Sequence, residues 1–335
     1  MPISFKEDHI SQIPALLMLE KLGYTYLTPD EALALRGGNL ANVLLEPVLR
    51  KQLAAINVVQ VSSVRTTVFS EQNITAGIDA LRNIPMDEGF MEASQTVYDL
   101  LTSGKTLEQI VDGDRKSFVM QYIDWKNPRN NVFHVTEEFA VSRTGMTDTY
   151  RPDIVLFVNG IPLCVIECKR PDVKDSIEQA ISQHLRNQKA DGIRSLYLYS
   201  TLLLAINRQE GSYATTATPE KFWARWREQF TNREEEVRYR QELERVVNEP
   251  LLDDKLFGER FGYVRRNFEE LYRQPVIPSV QDEYLYNLCR PERLLQLMYG
   301  FTLYDDGIKK VARYQQYFAV RQTMQRIRHI CLLYT

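Results

Sequence analysis

The sequence is poor in cysteine and has no strong excess of charge of either sign. Four of its 335 residues are cysteine, and its formal net charge is −3. Four cysteines at these spacings match no zinc-binding pattern, so Cys164 and Cys168 are interpreted as reduced core residues of a cytoplasmic protein. A net charge near zero excludes a chain that coats nucleic acid over its whole surface, and any such contact must come from local patches.

Long apolar runs are also lacking. No run reaches the roughly 20 apolar residues that span a bilayer, and the N-terminal segment lacks the small-residue cleavage site of a signal peptide. Hydrophobic residues make up 44% and charged residues 25% of the chain, which is the balance of a globular protein. The length suits two or three modules.

Hydrophobic periodicity divides the chain into a helical start and a strand-rich middle. Capping-box residues Ser4 and Glu7 predict the start of a first helix that ends near Gly23. Further helices are predicted over 39–56, 71–83, 92–103 and 174–190, and strands over most of 131–206, with 196–206 as one buried strand.

This alternation predicts an α/β fold with a mixed sheet flanked by helices over residues 1–215. The segment 219–247 is charged and helical in pattern, which indicates a helical connector over 216–285. The remaining residues, 286–335, are interpreted as the start of a further domain, so the C-terminal extension is expected to be mainly helical.

One stretch, RPDIVLFVNGIPLCVIECKRP, combines charged residues with an apolar strand pattern. Asp153 follows a proline, and Glu167 and Lys169 interrupt the second apolar run. A buried charge is costly unless it is paired or binds a metal ion. Carboxylate oxygens suit Mg²⁺, which activates water and stabilises a phosphoryl transition state, and a neighbouring lysine stabilises the growing negative charge.

The turn between the two strands sets a geometric condition on this site. Asn159-Gly160 is the strongest short signal for a two-residue hairpin turn. A strict hairpin would place Asp153 opposite Ile166, so that Asp153 and Glu167 would point to opposite faces of the sheet. A shared metal ion therefore requires a bulge or a bend, which is predicted near Pro162 because proline cannot donate to the strand ladder. The alternative is an ordinary hairpin with an exposed aspartate and a Glu–Lys pair at its rim.

At these residues the sequence resembles the PD-(D/E)xK nucleases and, more closely, the R subunit of type I restriction-modification enzymes. The resemblance covers nearly the whole chain and includes the strings NNVFHVTEEFAV, RPDIVLFVNGIPLCVIECKRP, LLLAINRQEGSYATT and RPERLLQLMYGFTLYDDGIKKVARYQQYFAV. It implies a restriction-endonuclease-like fold and a Mg²⁺-dependent DNA endonuclease in the cytoplasm. It also implies duplex DNA and the methyltransferase and specificity subunits as partners.

The resemblance implies roles for individual residues. Asp153 and Glu167 would bind Mg²⁺, and Lys169 would assist hydrolysis of the phosphodiester. Glu7 would be an auxiliary acidic residue, although it would equally serve to cap the first helix. Gln183 matches the glutamine of a family motif, but the tyrosine position of that motif is occupied here by Asn187. Gln183 would therefore either position DNA or be a solvent-facing helix residue.

Further residues are assigned by the same resemblance or by their position. Arg313 and Gln316 match a motif that would recognise adenine ahead of an ATP-driven motor, which would make 286–335 the start of a truncated helicase-like motor domain. No phosphate-binding loop is present. ATP is therefore expected only in a longer family protein, and the chain is interpreted as truncated and as inactive or weakly active alone. Arg170 and Lys174 are candidates for DNA contact, or else are solvated charges at a strand end.

Two rival functions differ from this interpretation. The chain would be a catalytically silent assembly or DNA-binding fragment, or a stand-alone repair nuclease of the same superfamily.

Overall fold

A computed structural model describes residues 11–62, 65–250 and 255–333. Its helices are α1 Ile13–Lys21, α2 Pro29–Ala34, α3 Glu46–Ile56, α4 Glu71–Arg82, α5 Phe90–Ser103, α6 Ser176–Asn187, α7 Arg194–Tyr197, α8 Arg233–Val247, α9 Arg265–Leu271, α10 Val280–Cys289, α11 Pro291–Gly300 and α12 Tyr314–Leu333. Its strands are β1 Thr25–Tyr26, β2 Val58–Ser62, β3 Arg65–Val68, β4 Lys105–Val111, β5 Asp114–Met120, β6 Phe133–Glu137, β7 Val141–Ser142, β8 Thr149–Tyr150, β9 Ile154–Val158, β10 Ile161–Cys168, β11 Leu202–Ile206, β12 Gly211–Ala214, β13 Thr302–Asp305 and β14 Ile308–Val311.

A six-stranded mixed sheet forms the centre of the molecule. Its strand order is β1-β6-β9-β10-β11-β12. The pairs β1–β6 and β10–β11 are parallel, and the other neighbours are antiparallel. Every residue of β9, β10 and β11 is buried, which explains why these strands are almost continuously apolar. The predicted α/β class with a mixed sheet is confirmed.

Helices cover this sheet and connect it to the C-terminal part of the chain. Helix α6 packs on β10 and β11, and α1 packs on α8, α10 and β6. The α1–α10 contact joins residues about 270 positions apart and is reinforced by the Tyr24 hydroxyl, which donates to the Cys289 carbonyl oxygen at 2.6 Å. The first helix ends near Gly23, as predicted, and Gly23 adopts a φ of +98°.

Three predicted boundaries are wrong. The helix predicted over 39–56 begins only at Glu46, because Pro47 lies in its first turn and the preceding residues form turns around Asn42. The strand predicted over 196–206 is confined to β11, because residues 194–197 form the short helix α7. The helix predicted over 219–247 begins at Arg233, where the Asn232 side chain caps it.

Two exposed hairpins were not predicted. Strands β2–β3 and β4–β5 each form a separate two-stranded sheet, and some of their apolar residues, including Ile110 and Val119, are exposed. The sequence Gly104-Lys105-Thr106 lies between α5 and β4. A phosphate-binding loop leads from a strand into a helix, so Gly104-Lys105-Thr106 does not form one.

The cysteines agree with their interpretation as core residues. Cys164, Cys168 and Cys289 are buried and form no disulfide with one another. Within the described ranges, helices capable of crossing a membrane are not found.

The β13–β14 hairpin docks on the sheet domain through a buried lysine. The Lys309 ammonium donates to the Ser200 carbonyl oxygen at 3.0 Å, and Tyr98 donates to the Thr302 carbonyl oxygen at 2.7 Å. Lys309 is 3% exposed, and burial lowers its pKa to about 7. The Ser200 oxygen also accepts the Thr216 hydroxyl at 2.8 Å, so it does not depend on Lys309 alone.

Replacing this lysine by methionine is expected to stabilise the protein. Lys309→Met removes an ammonium that is costly to bury, and the free energy of unfolding should rise by about 1–4 kcal/mol at pH 7. The lysine has a pKa of about 7 when folded and an ordinary value of 10.5. The advantage of methionine should therefore be full below pH 7, decrease as pH rises from 7 to 10.5, and vanish above 10.5, where lysine is neutral in both states. Urea unfolding at several pH values measures it, and a pH-independent difference would contradict it.

Candidate active site

The β9–β10 hairpin contains the irregularity that a metal ion shared by Asp153 and Glu167 requires. Asn159 and Gly160 form a two-residue turn with φ values of +52° and +84°, so Val158 pairs with Ile161. The register then shifts between Pro162 and Cys164, which leaves Leu163 as the extra residue of a bulge, and Ile154 pairs with Ile166. Continuing this register by one residue places Asp153 opposite Glu167 on one face of the sheet. The predicted irregularity at Pro162 is confirmed.

Asp153 is held at several points where β9 begins. Its carboxylate oxygen Oδ2 accepts the backbone N–H of Cys168 at 2.7 Å and lies 3.5 Å from the Lys169 ammonium nitrogen. Its backbone carbonyl oxygen accepts the Glu138 N–H and the Gln12 side-chain amide, each at 3.0 Å. Its side chain is 24% exposed, so this carboxylate faces solvent from a fixed position.

Glu167 is a completely buried carboxyl group. Its exposed fraction is 0%, and neither carboxylate oxygen has a hydrogen-bond donor among the described residues. Burial raises the pKa of Glu167 well above its ordinary value, the negative charge of Asp153 raises it further, and Lys169 opposes the rise. An unsatisfied buried carboxyl is rare in native structures. A cation bound between Glu167 and Asp153 would satisfy it.

Lys169 completes the cluster, and the two basic residues after it lie further out. The Lys169 side chain is 14% exposed and contacts Asp153. Arg170 forms an ion pair with Asp172. Lys174 is 91% exposed and lies 4.0 Å from Asp175. The structure therefore brings Asp153, Glu167 and Lys169 together, while Arg170 and Lys174 are solvent-accessible residues beyond the end of β10.

A buried polar network lies behind Glu167. The His184 imidazole Nε2 lies 2.9 Å from the Leu204 carbonyl oxygen, and its Nδ1 lies 3.0 Å from the Tyr197 hydroxyl. Burial lowers the pKa of His184 to about 4, so the neutral ring donates from Nε2 and accepts the Tyr197 proton at Nδ1. His184 is thus a buried packing residue. The charge of Glu167 adds to burial in raising the pKa of Tyr197.

The family-motif positions on α6 differ in their surroundings. Gln183 is half-buried, so it is not a fully solvent-facing residue. Asn187 is buried, and its amide lies 3.5 Å from the Tyr197 hydroxyl. A tyrosine hydroxyl is therefore present beside position 187, although it comes from α7. The sequence did not indicate Tyr197, because a tyrosine within an apolar run resembles any core residue.

The remaining predicted site residues are distant or not described. Glu7 lies outside the described residues. Arg313 and Gln316 lie at the start of α12, where the Gln316 side-chain oxygen accepts the Arg313 backbone N–H at 2.8 Å. Gln316 thus closes the first turn of its own helix. The roles predicted for these residues stay predictions.

The number of protein ligands limits how the cluster can bind a metal ion. Within the described residues, no group of three or more histidine, cysteine, aspartate or glutamate side chains is arranged to hold a metal ion. A metal ion here would have two protein carboxylates and take its other ligands from water or substrate, which is the pattern typical of Mg²⁺. A cavity of about 580 Å³ elsewhere is lined by residues that include Phe90, Arg194 and Asp306, and by none of the three cluster residues.

Comparison with known proteins gives a consistent family. Residues 4–222 match the family described as type I restriction enzyme R protein N terminus. The chain is 24% identical over 329 residues to a protein of Methanocaldococcus jannaschii named as the type I restriction enzyme MjaIXP endonuclease subunit, covering 96% of this chain and 28% of that protein. It is 25% identical over 331 residues to the type I restriction enzyme HindI endonuclease subunit of Haemophilus influenzae, covering 95% and 26%. The chain thus spans about a quarter of the length of these relatives.

Proposed function

The chain belongs to the family of type I restriction enzyme R protein N termini, and we propose that it is a PD-(D/E)xK nuclease domain that hydrolyses DNA phosphodiester bonds with Mg²⁺. The observation that carries the proposal is the bulge in β10, which places Asp153 opposite the unsatisfied, fully buried Glu167. An ordinary hairpin with a rim Glu–Lys pair would leave Glu167 exposed or paired. The names of the relatives support the same activity.

Asp153 and Glu167 are the residues that would hold the metal ion. Their paired positions, the burial of Glu167 and the hard character of carboxylate oxygens fit Mg²⁺. When bound, Mg²⁺ supplies charge stabilisation at the phosphate and lowers the pKa of a coordinated water molecule. The Cys168 N–H fixes one oxygen of Asp153, so this carboxylate is oriented before any ligand arrives.

Lys169 would act on the phosphate and on the attacking water. Its ammonium lies 3.5 Å from Asp153 Oδ2 and is 14% exposed. A cation in this position, partly shielded from solvent, stabilises negative charge that grows on the phosphate oxygens during attack. Arg170 and Lys174, beyond the strand end, would contact the DNA backbone.

The partners follow from the family rather than from contacts in this chain. We propose that duplex DNA is the substrate, and that methyltransferase and specificity subunits bind the complete R protein. ATP would be used only by the complete protein.

The experiment is a cleavage assay with a matched pair of lysine variants. The chain is incubated with supercoiled plasmid in Mg²⁺ and in EDTA, and nicking is followed over time. Lys169→Met should lower the Mg²⁺-dependent rate by about 100-fold, the effect of removing one charge-stabilising group. Lys116→Met removes the same charge from an exposed position on β5 and should leave the rate unchanged. Equal Mg²⁺-dependent cleavage by wild type and Lys169→Met would exclude the proposed role of Lys169, and no cleavage by either protein would favour a silent binding fragment.

A further inference from the structure

We propose that Gln281, on α10, is a positioning residue for Asp153. It fixes the residues that precede α1, and these in turn fix Asp153 in the geometry that holds the metal ion. This inference rests on the proposed function. Gln281 lies beyond residues 4–222, which match the family, so it would make the nuclease centre depend on the C-terminal helical part of this chain.

The first step is a two-bond contact between Gln281 and Ser11. The Ser11 hydroxyl donates to the Gln281 side-chain oxygen at 2.7 Å, and the Gln281 amide donates to the Ser11 carbonyl oxygen at 2.8 Å. Both residues are completely buried. Each hydrogen-bonding group in this contact is therefore satisfied by the other residue, and removing either one leaves buried polar groups without partners.

The second step runs from residues 11 and 12 to the site. The Gln12 side-chain amide donates to the Asp153 carbonyl oxygen at 3.0 Å. The Ser11 hydroxyl lies within hydrogen-bonding reach of the Cys168 thiol, and the Cys168 N–H donates to Asp153 Oδ2 at 2.7 Å. A displacement of residues 11 and 12 would therefore remove one of the two hydrogen bonds that hold the Asp153 carbonyl oxygen, the other coming from the Glu138 N–H, and would disturb the residue that orients its carboxylate.

Helix α10 is itself attached to the far edge of the same sheet. The Tyr284 hydroxyl donates to the Gly211 carbonyl oxygen at 2.5 Å, at the start of β12. The Val280 N–H donates to the Arg208 carbonyl oxygen at 3.2 Å. Gln281 thus projects from a helix that is fixed to the edge strand and reaches residue 11. Its position is determined by packing on two sides, which is what a positioning residue requires.

The test compares two substitutions of similar size on the same helix. Gln281→Met keeps the side-chain length and removes both hydrogen bonds to Ser11. Asn287→Leu removes the buried bond from Asn287 to the Tyr239 hydroxyl at 2.8 Å, which lies towards α8 and away from Asp153. Mn²⁺ is titrated into each protein and followed by electron paramagnetic resonance, and thermal unfolding is recorded in metal-free buffer. Gln281→Met should weaken Mn²⁺ binding about 10-fold or more, and Asn287→Leu should lower the unfolding temperature without changing Mn²⁺ affinity.

A milder variant, Ser11→Ala, keeps the test informative if Gln281→Met fails to fold. Ser11→Ala removes only the hydroxyl and should weaken Mn²⁺ binding by a smaller factor, in the same direction. Unchanged Mn²⁺ affinity in Gln281→Met and Ser11→Ala would overturn the positioning role while leaving the proposed function intact. If the wild-type chain itself binds no Mn²⁺, the proposed function fails, and the positioning role fails with it.

Discussion

Glu167→Gln should abolish metal-dependent cleavage and at the same time stabilise the protein. Glutamine keeps the size of the side chain but removes the charge that would hold a divalent ion. Loss of several kcal/mol of charge stabilisation corresponds to a rate decrease of about 1000-fold. The buried carboxyl has no donor among the described residues, so its neutral replacement should raise the free energy of unfolding in metal-free buffer by about 1–2 kcal/mol.

In Glu167→Gln the cleavage rate should fall while the free energy of unfolding rises. This combination distinguishes a metal-binding role of Glu167 from a purely structural one. Cleavage is measured on supercoiled plasmid, and stability by urea unfolding with and without Mn²⁺. Wild type should gain stability on addition of Mn²⁺, because ligand binding to the folded state stabilises it, and Glu167→Gln should not. A variant that is less stable than wild type and still cleaves DNA would show that Glu167 serves only the fold.

Glu137 provides a matched control on the neighbouring strand. It is also a completely buried glutamate, and burial raises its pKa. It pairs with Ile154, so its side chain lies on the opposite face from Glu167, where it accepts the Tyr26 hydroxyl and Arg260 at 3.0 Å each. Glu137→Gln should weaken the Arg260 contact and lower stability, but cleavage should persist.

The sequence predicts the central hairpin well because several independent signals agree there. The Asn159-Gly160 turn fixes the register at one end, and strand alternation then determines which residues share a face. The incompatibility between a strict hairpin and a shared ion predicts a bulge, and Pro162 indicates where it lies. The structure places the bulge between Pro162 and Cys164.

Other parts of the site could not be predicted because they depend on contacts between distant residues. Ser11 and Gln281 are 270 positions apart, and neither forms part of a motif. His184 and Tyr197 appear as one polar residue on a helix and one aromatic residue in an apolar run, and only packing of α6 on β11 brings them together. The strand order of the sheet, with β10 between β9 and β11, likewise follows from tertiary packing rather than from local pattern.

Arg293→Met should be the most destabilising of these substitutions. The Arg293 side chain is 2% exposed and donates to both carboxylate oxygens of Glu228, at 2.8 and 3.2 Å. Its guanidinium also lies 4.6 Å from the centre of the Tyr317 ring. Removing one partner of a buried ion pair leaves the other charge uncompensated and costs about 3–5 kcal/mol. The free energy of unfolding from urea titration measures the loss.

Two further variants show whether the loss of stability comes from the uncompensated charge of Glu228. In Glu228→Gln/Arg293→Met both charges of this pair are removed, and the Trp226 indole N–H, which donates to Glu228 at 2.9 Å, can still donate to the glutamine oxygen. At least about half of the lost stability should return, because a buried pair often gives little net stabilisation over neutral residues. Arg245→Met breaks an exposed pair with Glu242 on α8 and should cost less than about 1 kcal/mol. If Arg293→Met costs no more than Arg245→Met, the contact between α11 and the segment after β12 is held by aromatic packing alone, and the ion pair contributes nothing to joining the helical part to the sheet.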